Sequence, residues 1–286
     1  MVKHAYTLCL PEVQTTSVVF ASPHSGRDYP WAFLRRSVLD ELTIRSSEDA
    51  FMDMLVGSAP ECGAPLICAN MPRAYLDLNR SADELDPAIV EGVGRAGQNP
   101  RIASGLGVIP RVVSNGREIY RGKMPIEEAH GRIENYWRPY HDRLQSLLDD
   151  TRQRFGEAVL LDCHSMPHDA TEAVSRAGAM RAEVILGDRF GASASGHIVD
   201  RIETIFLDAG LRVSRNAPFA GAYITQHYGR PSRGQHAVQI EIDRALYMDE
   251  AEVRPSANFS EFRKLMEDVV AEVAQIGRTQ TPLAAE

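Results

Sequence analysis

Cysteine is scarce in this chain: Cys9, Cys62, Cys68 and Cys163 are the four among 286 residues. No two of them stand as C-x-x-C, which excludes a disulfide framework or a structural zinc knot and leaves reduced thiols as the expectation. Long apolar runs are missing too. No stretch reaches the ~18 apolar residues a membrane helix needs. The opening MVKHAYTLCLPEVQ has no apolar run behind a basic start, so a cytoplasmic protein without secretory signal is expected. Positive charge is in deficit, with 31 Lys and Arg against 39 Asp and Glu and a net charge of −8. Such a chain does not hold a polyphosphate backbone non-specifically, so neither nucleic acid nor a membrane is an expected partner. Familiar catalytic loops are absent as well: there is no G-x-S-x-G elbow and no GxxxxGK[ST]. GLGVIP (105–110) and GDRFGASASG (187–196) contain glycines but make no G-x-G-x-x-G turn.

What remains is an ordinary enzyme-like composition, 44% hydrophobic and 24% charged, ample for one large core. Short apolar runs alternate with helical patterns. Strands are expected at 17–22 (SVVFAS), in GAPLICAN, at 158–163 (AVLLDC), 183–187, in LRVSRN and at 237–242 (AVQIEI). Helices are expected at about 47–58, over 125–155 as one long helix or a pair, at 191–209 and at 258–277. In the second of these, Pro125 suits a first turn, whereas Pro139 interrupts or kinks. Residues 83–118, rich in Gly, Pro, Asn and Arg, read as a long irregular excursion. The alternation points to a single α/β domain over 1–286, with three α/β/α layers.

Two histidines share a setting. His24 follows SVVFASP and His164 follows AVLLDC, each at the end of an apolar strand, where ligands of open α/β sheets collect. Two imidazoles and a carboxylate form a common catalytic zinc set. Glu48 and Asp49, placed at the start of the first expected helix, are both candidates for the third ligand. For any one of these residues a structural role, a loop hydrogen bond or a helix-start charge, is the commoner use; the matched pair of histidines tilts the balance toward metal. Cys163, beside His164, points to the opposite strand face, so a Cys–His dyad is not expected.

Glu241 lies within an apolar strand, flanked by Ile240 and Ile242. A buried carboxylate is costly unless paired or used, and a general base activating water is the functional use. Arg73, Asn79 and Arg80 in RAYLDLNR supply forks suited to an anionic small-molecule substrate. Arg230 and His227 in TQHYGRPSRG, and Tyr120 in GREIYRG, are further substrate-contact candidates on loops.

Four blocks in this order, SPHSGRDYP, RAYLDLNR, DCHSMP and GQHAVQIEIDRALYMDE, closely resemble the N-formylglutamate amidohydrolase family, over about residues 17 to 250. More distantly the layout is similar to the zinc carboxypeptidase and aspartoacylase superfamily, with its mixed eight-stranded sheet and single zinc. The resemblance implies hydrolysis of N-formyl-L-glutamate to formate and glutamate, in histidine breakdown. It implies His24 and His164 as zinc ligands, with Asp49 the better third match and Glu48 the second. It implies Glu241 as general base and then proton donor, Arg73 as the residue polarising the scissile carbonyl, and Asn79 with Arg80 as the grip on the α-carboxylate. The superfamily's H-x-x-E is broken here, since Arg27 stands three residues after His24. Two other outcomes remain in view: a relative that removes a different acyl group or acts like a carboxypeptidase, and a non-catalytic acidic-amino-acid binder.

Overall fold

The computed structural model describes residues 4–94, 99–171 and 181–278. Part of the expected irregular excursion (95–98) and residues 279–286 therefore lie outside the described residues.

Seven strands form one sheet: β1 (Tyr6–Cys9), β2 (Val18–Ser22), β3 (Leu66–Ala69), β4 (Ala158–Met166), β5 (Val184–Gly187), β6 (Val213–Arg215) and β7 (Gln235–Asp243), in the order β1-β3-β2-β4-β7-β5-β6. β3, β2, β4 and β7 run parallel; β1 pairs antiparallel with β3, and β5 antiparallel with β7. The sheet is mixed, as expected, with seven strands among the described residues where the distant superfamily has eight. Edge strand β1 escapes the sequence pattern because it is four residues long and only half buried. The central strands are buried on both faces and read as continuous apolar runs.

Alternation sorts the two faces. Val18, Phe20, Val159, Leu161, Cys163, Val238, Ile240 and Ile242 belong to one apolar cluster with helices Gly196–Asp208 and Phe259–Ile276. Val19, Ala21, Ala158, Leu160 and Ala237 belong to another, with Tyr140, Leu144, Leu147 and Leu148 of helix Arg138–Phe155. Each fully buried Leu here contributes about 1.5–3 kcal/mol. Cys163 thus faces away from His164, as the pleat requires.

The 125–155 segment is one continuous helical run. Pro125 caps it, Ile126–Arg132 is α-helical, Ile133–Trp137 forms a wider π-turn and Arg138–Phe155 resumes the α-helix. Pro139 has no N–H for the carbonyl one turn back, and the π-turn just before it accommodates that loss. The expected 47–58 helix is largely absent. Arg45–Ser47 makes a single 3₁₀ turn, and only Met52–Leu55 is helical. Phe51 adopts φ 66°, a left-handed conformation that a helix interior cannot contain. Glu48 and Asp49 therefore do not open a helix but lie in the link before it.

Because β2, β3, β4 and β7 are parallel, their carboxyl ends gather on one edge of the sheet. The segments that follow or end them carry His24, the 73–80 run, His164 and Glu241.

Candidate metal centre and substrate cavity

β4 is longer than expected, so His164 sits inside it rather than beyond it, and is registered directly beside Glu241 of β7. One step back, Asp162 is registered beside Gln239. On this face the apolar alternation of β4 and β7 gives way to Asp162, His164, Gln239 and Glu241.

His24 arrives from the loop after β2. Gly26 fits that loop against the 70–71 backbone: a Cβ there would fall 2.1 Å from the Met71 carbonyl oxygen. Asp49 is pinned to the same loop, its backbone N–H donating to the His24 carbonyl at 3.0 Å.

Three ligand-type atoms converge. His164 Nδ1 lies 3.1 Å from His24 Nδ1 and 2.9 Å from Asp49 Oδ2, and His24 Nδ1 lies 3.5 Å from Asp49 Oδ2. All three residues are at most 2% exposed. Three tetrahedral donors, each about 2.0 Å from a shared zinc, would sit about 3.3 Å apart, close to the spacing observed. Their outer nitrogens are also held: His24 Nε2 is 2.7 Å from Asp77 Oδ1 and His164 Nε2 is 3.0 Å from Asp162 Oδ2. Asp77 behind the His24 ring favours a proton on Nε2 and an Nδ1 lone pair turned inward, an arrangement typical of metal-binding imidazoles; His164 Nε2 lies beside both Asp162 Oδ2 and Asn79 Nδ2, the latter at 3.2 Å.

Electrostatics argue the same way. Asp162 is fully buried, and His164 is the one partner of its carboxylate among the described residues. An ion so placed costs several kcal/mol unless compensated. Burial pulls the His164 pKa down, but Asp162, Asp49 and Glu241 outweigh it and raise it well above its usual value. Burial pushes Asp49 up, yet the two imidazoles beside it, when protonated and with no cation bound, hold it well below the carboxylate range. Burial pushes Glu241 up to about 7, with Asp49 adding to that and His164 and Arg73 opposing. Four buried carboxylates (Asp49, Asp77, Asp162, Glu241) face two arginines bonded to them, Arg244 on Asp49 and Arg73 on Asp77.

A cavity of about 540 Å³ opens over this cluster, lined by His24, His164 and Glu241 and also by Arg73, Asn79, Arg80 and Arg101. Arg73 donates Nε to Asp77 Oδ2 at 3.0 Å. Arg80 donates to the carbonyls of Leu106 and Asn79, both at 2.9 Å, and has no ion-pair partner among the described residues. Burial, then Arg73 and Arg101, hold its pKa below the usual arginine value against the pull of Asp77, so an incoming anion would be welcome there.

The profile of the N-formylglutamate amidohydrolase family matches residues 16–248. The chain belongs to this family. It is 29% identical over 238 residues to the N-formylglutamate deformylase of Pseudomonas putida, covering 82% of this chain and 83% of that protein. It is 29% identical over 237 residues to the N-formylglutamate deformylase of Pseudomonas aeruginosa, covering 82% of each. The solved structure of the N-formylglutamate amidohydrolase of Ralstonia eutropha JMP134 superposes with a TM-score of 0.88 at 33% identity, over 95% of this chain and 98% of that one.

Other sequence candidates lie elsewhere than this cavity. The Glu48 carboxylate is taken by Arg45, at 3.0 Å and 3.1 Å, and by the Tyr29 hydroxyl at 2.7 Å. Tyr120 is buried in the apolar cluster, its hydroxyl accepting from Arg132. His227 stacks on Tyr223, and Arg230 donates to the carbonyls of Gln226 and Gly229. Their loop positions suggested an open cleft, but local packing uses up their functional groups. Asn79 does line the cavity, though its amide is engaged inside the protein: Oδ1 accepts from Ile224 N at 2.8 Å, and Nδ2 reaches Gln239 Oε1 at 3.3 Å. Sequence reasoning missed Asp77, Asp162, Gln239 and Arg244. Asp162 carried the same signal as Glu241, an acid inside an apolar strand.

Proposed function

We propose that this protein hydrolyses N-formyl-L-glutamate to formate and L-glutamate with one divalent cation, zinc by the donor set, held by His24, Asp49 and His164. The observation that carries this reading is the convergence of two Nδ1 atoms and one carboxylate oxygen beside Glu241, in a chain of this family. A cation held there would supply Lewis-acid polarisation of the amide carbonyl and activation of water.

The chain's own groups do the rest. Glu241 faces the cavity with Oε1 held by Gln239 Nε2 at 2.8 Å. Its raised affinity for protons, about 7, suits it to take the proton of the attacking water and give it to the departing glutamate nitrogen. Arg73 spends Nε on Asp77, leaving its Nη groups for the negative charge that develops on the carbonyl oxygen. Arg80 binds a substrate carboxylate, with Asn79 holding Arg80 through its own carbonyl. Arg101 offers a second cation on the same wall, and the proposed substrate is a dianion.

A second reading, removal of a longer acyl group, rests on the cavity's volume of about 540 Å³, generous for a formyl substrate. The test is release of the free amino acid: glutamate from N-formyl-, N-acetyl- and N-succinylglutamate, and aspartate from N-formylaspartate. Fastest zinc-dependent turnover of formylglutamate is expected. Faster turnover of succinylglutamate would replace the substrate, and no turnover of any by zinc-loaded protein would overturn the hydrolase reading.

A further inference from the structure

Asp49 divides its two oxygens. Oδ2 faces His164 and His24, whereas Oδ1 accepts from Arg244 Nη2 at 3.1 Å. Arg244 follows β7 in a short 3₁₀ turn, three residues beyond Glu241. Its guanidinium is buried and reaches across the end of β4: Nε donates to Ser165 Oγ and Nη1 to the Ser46 carbonyl, both at 3.1 Å. Ser165 adjoins His164, and Ser46 is the middle residue of the turn that leads towards Asp49. One planar fork thus joins β7, β4 and the Asp49 link, which carry the base and two of the three metal-binding candidates.

We infer that Arg244 is a positioning residue for the metal: it holds Asp49 as a one-oxygen ligand and fixes the distance between Asp49 and His164. With Oδ1 occupied, the carboxylate would offer a single oxygen to a bound cation, leaving room for water or substrate as catalytic sites require. The inference rests on the reading of His24, Asp49 and His164 as ligands, and goes beyond it by assigning a role to a residue that also lines the cavity but whose hydrogen bonds go to Asp49, Ser165 and Ser46.

Two effects oppose each other. The positive charge of Arg244 repels a nearby cation, whereas its geometry prepares the ligand. Residues that orient metal ligands are worth about 10- to 100-fold in affinity, and the proposal requires this effect to win. The experiment is a competition titration of zinc against a chromophoric chelator, using the full chain and its Arg244→Met and Arg244→Lys variants. Thermal unfolding of each metal-free protein checks the fold. Arg244→Met is expected to bind zinc about 10- to 100-fold more weakly. Arg244→Lys keeps the charge but loses the fork, and is expected to be weaker by about threefold or more, so the comparison survives if the Met variant does not fold. At saturating zinc, KM for N-formyl-L-glutamate is expected to stay within about twofold in both, because a positioning residue does not touch the substrate. Unchanged or tighter zinc binding overturns the proposal. So does a raised KM with unchanged zinc affinity, which would make Arg244 a substrate contact. Failure of the unaltered chain to bind zinc would instead overturn the metal reading, and is seen before any variant is compared.

Discussion

Two parts of one cavity wall are built on opposite rules. Around His24, Asp49 and His164, carboxylates outnumber cations, and each acid already has its partner: Asp77 on His24 and Arg73, Asp162 on His164, Asp49 on Arg244. Around Arg80 and Arg101 the balance reverses, and Arg80 gives its hydrogen bonds to carbonyls alone. On the proposed reading the first part holds a divalent cation and the second an anionic substrate group. An acidic protein of net charge −8 can therefore bind an anionic substrate, because local composition, not the total, sets the potential that the substrate meets.

The comparison can be broken at either part. The largest effect is expected from the cation side: His164→Ala or chelation should lower turnover about a thousand-fold or more, read as formate release. Glu241→Gln should lower kcat by about 10²- to 10⁴-fold while zinc affinity, measured by chelator competition, stays unchanged. Loss of zinc together with activity would make Glu241 a ligand instead of a base. On the anion side, Arg80→Met should raise KM about 10- to 100-fold, the equivalent of losing one charged hydrogen bond of about 1.5–3 kcal/mol, with kcat altered far less. A collapsed kcat with unchanged KM would move Arg80 to the reacting centre.

The pH dependence has a definite sign. Glu241 must be ionised to accept a proton, and burial pushes its carboxyl from 4.5 to about 7. A bound cation favours the ionised form and draws the value back down. Thus kcat/KM should fall as pH drops through a midpoint between 4.5 and about 7, with a slope of one. A midpoint well above 7 would contradict the assignment. The smallest effect is expected away from the cavity: Arg230→Ala and His227→Ala should leave kcat/KM within about twofold, as ordinary surface changes do.

The parts of this arrangement that were legible from residues alone had a pattern behind them. Apolar runs ending in His24 and His164 marked β2 and β4, and an acid between two isoleucines marked Glu241. The α/β layering followed from the alternation of such runs with helical segments, whereas the mixed sheet was implied by the resemblance to the superfamily. The third acid could not be chosen by periodicity. Glu48 and Asp49 are neighbours, and what separates them is the left-handed Phe51, the Arg45 and Tyr29 that occupy Glu48, and the backbone bond from Asp49 to His24. None of these has a local signature. Asp77 was hidden in a run read for its arginines, and Arg244 acts across two other segments, a contact that only the folded chain creates. Tyr120, His227 and Arg230 lie away from the cavity for the converse reason, since loop sequence announces exposure but not where the folded chain places a side chain.

The most direct test of a cation held by His24, Asp49 and His164 beside Glu241 is a zinc titration of the chelated chain, with formate release from N-formyl-L-glutamate followed at each addition. Activity should be absent at the start, rise linearly, and level off at one zinc per chain. Full turnover by the chelated chain, or zinc binding at one per chain that restores none, would contradict it.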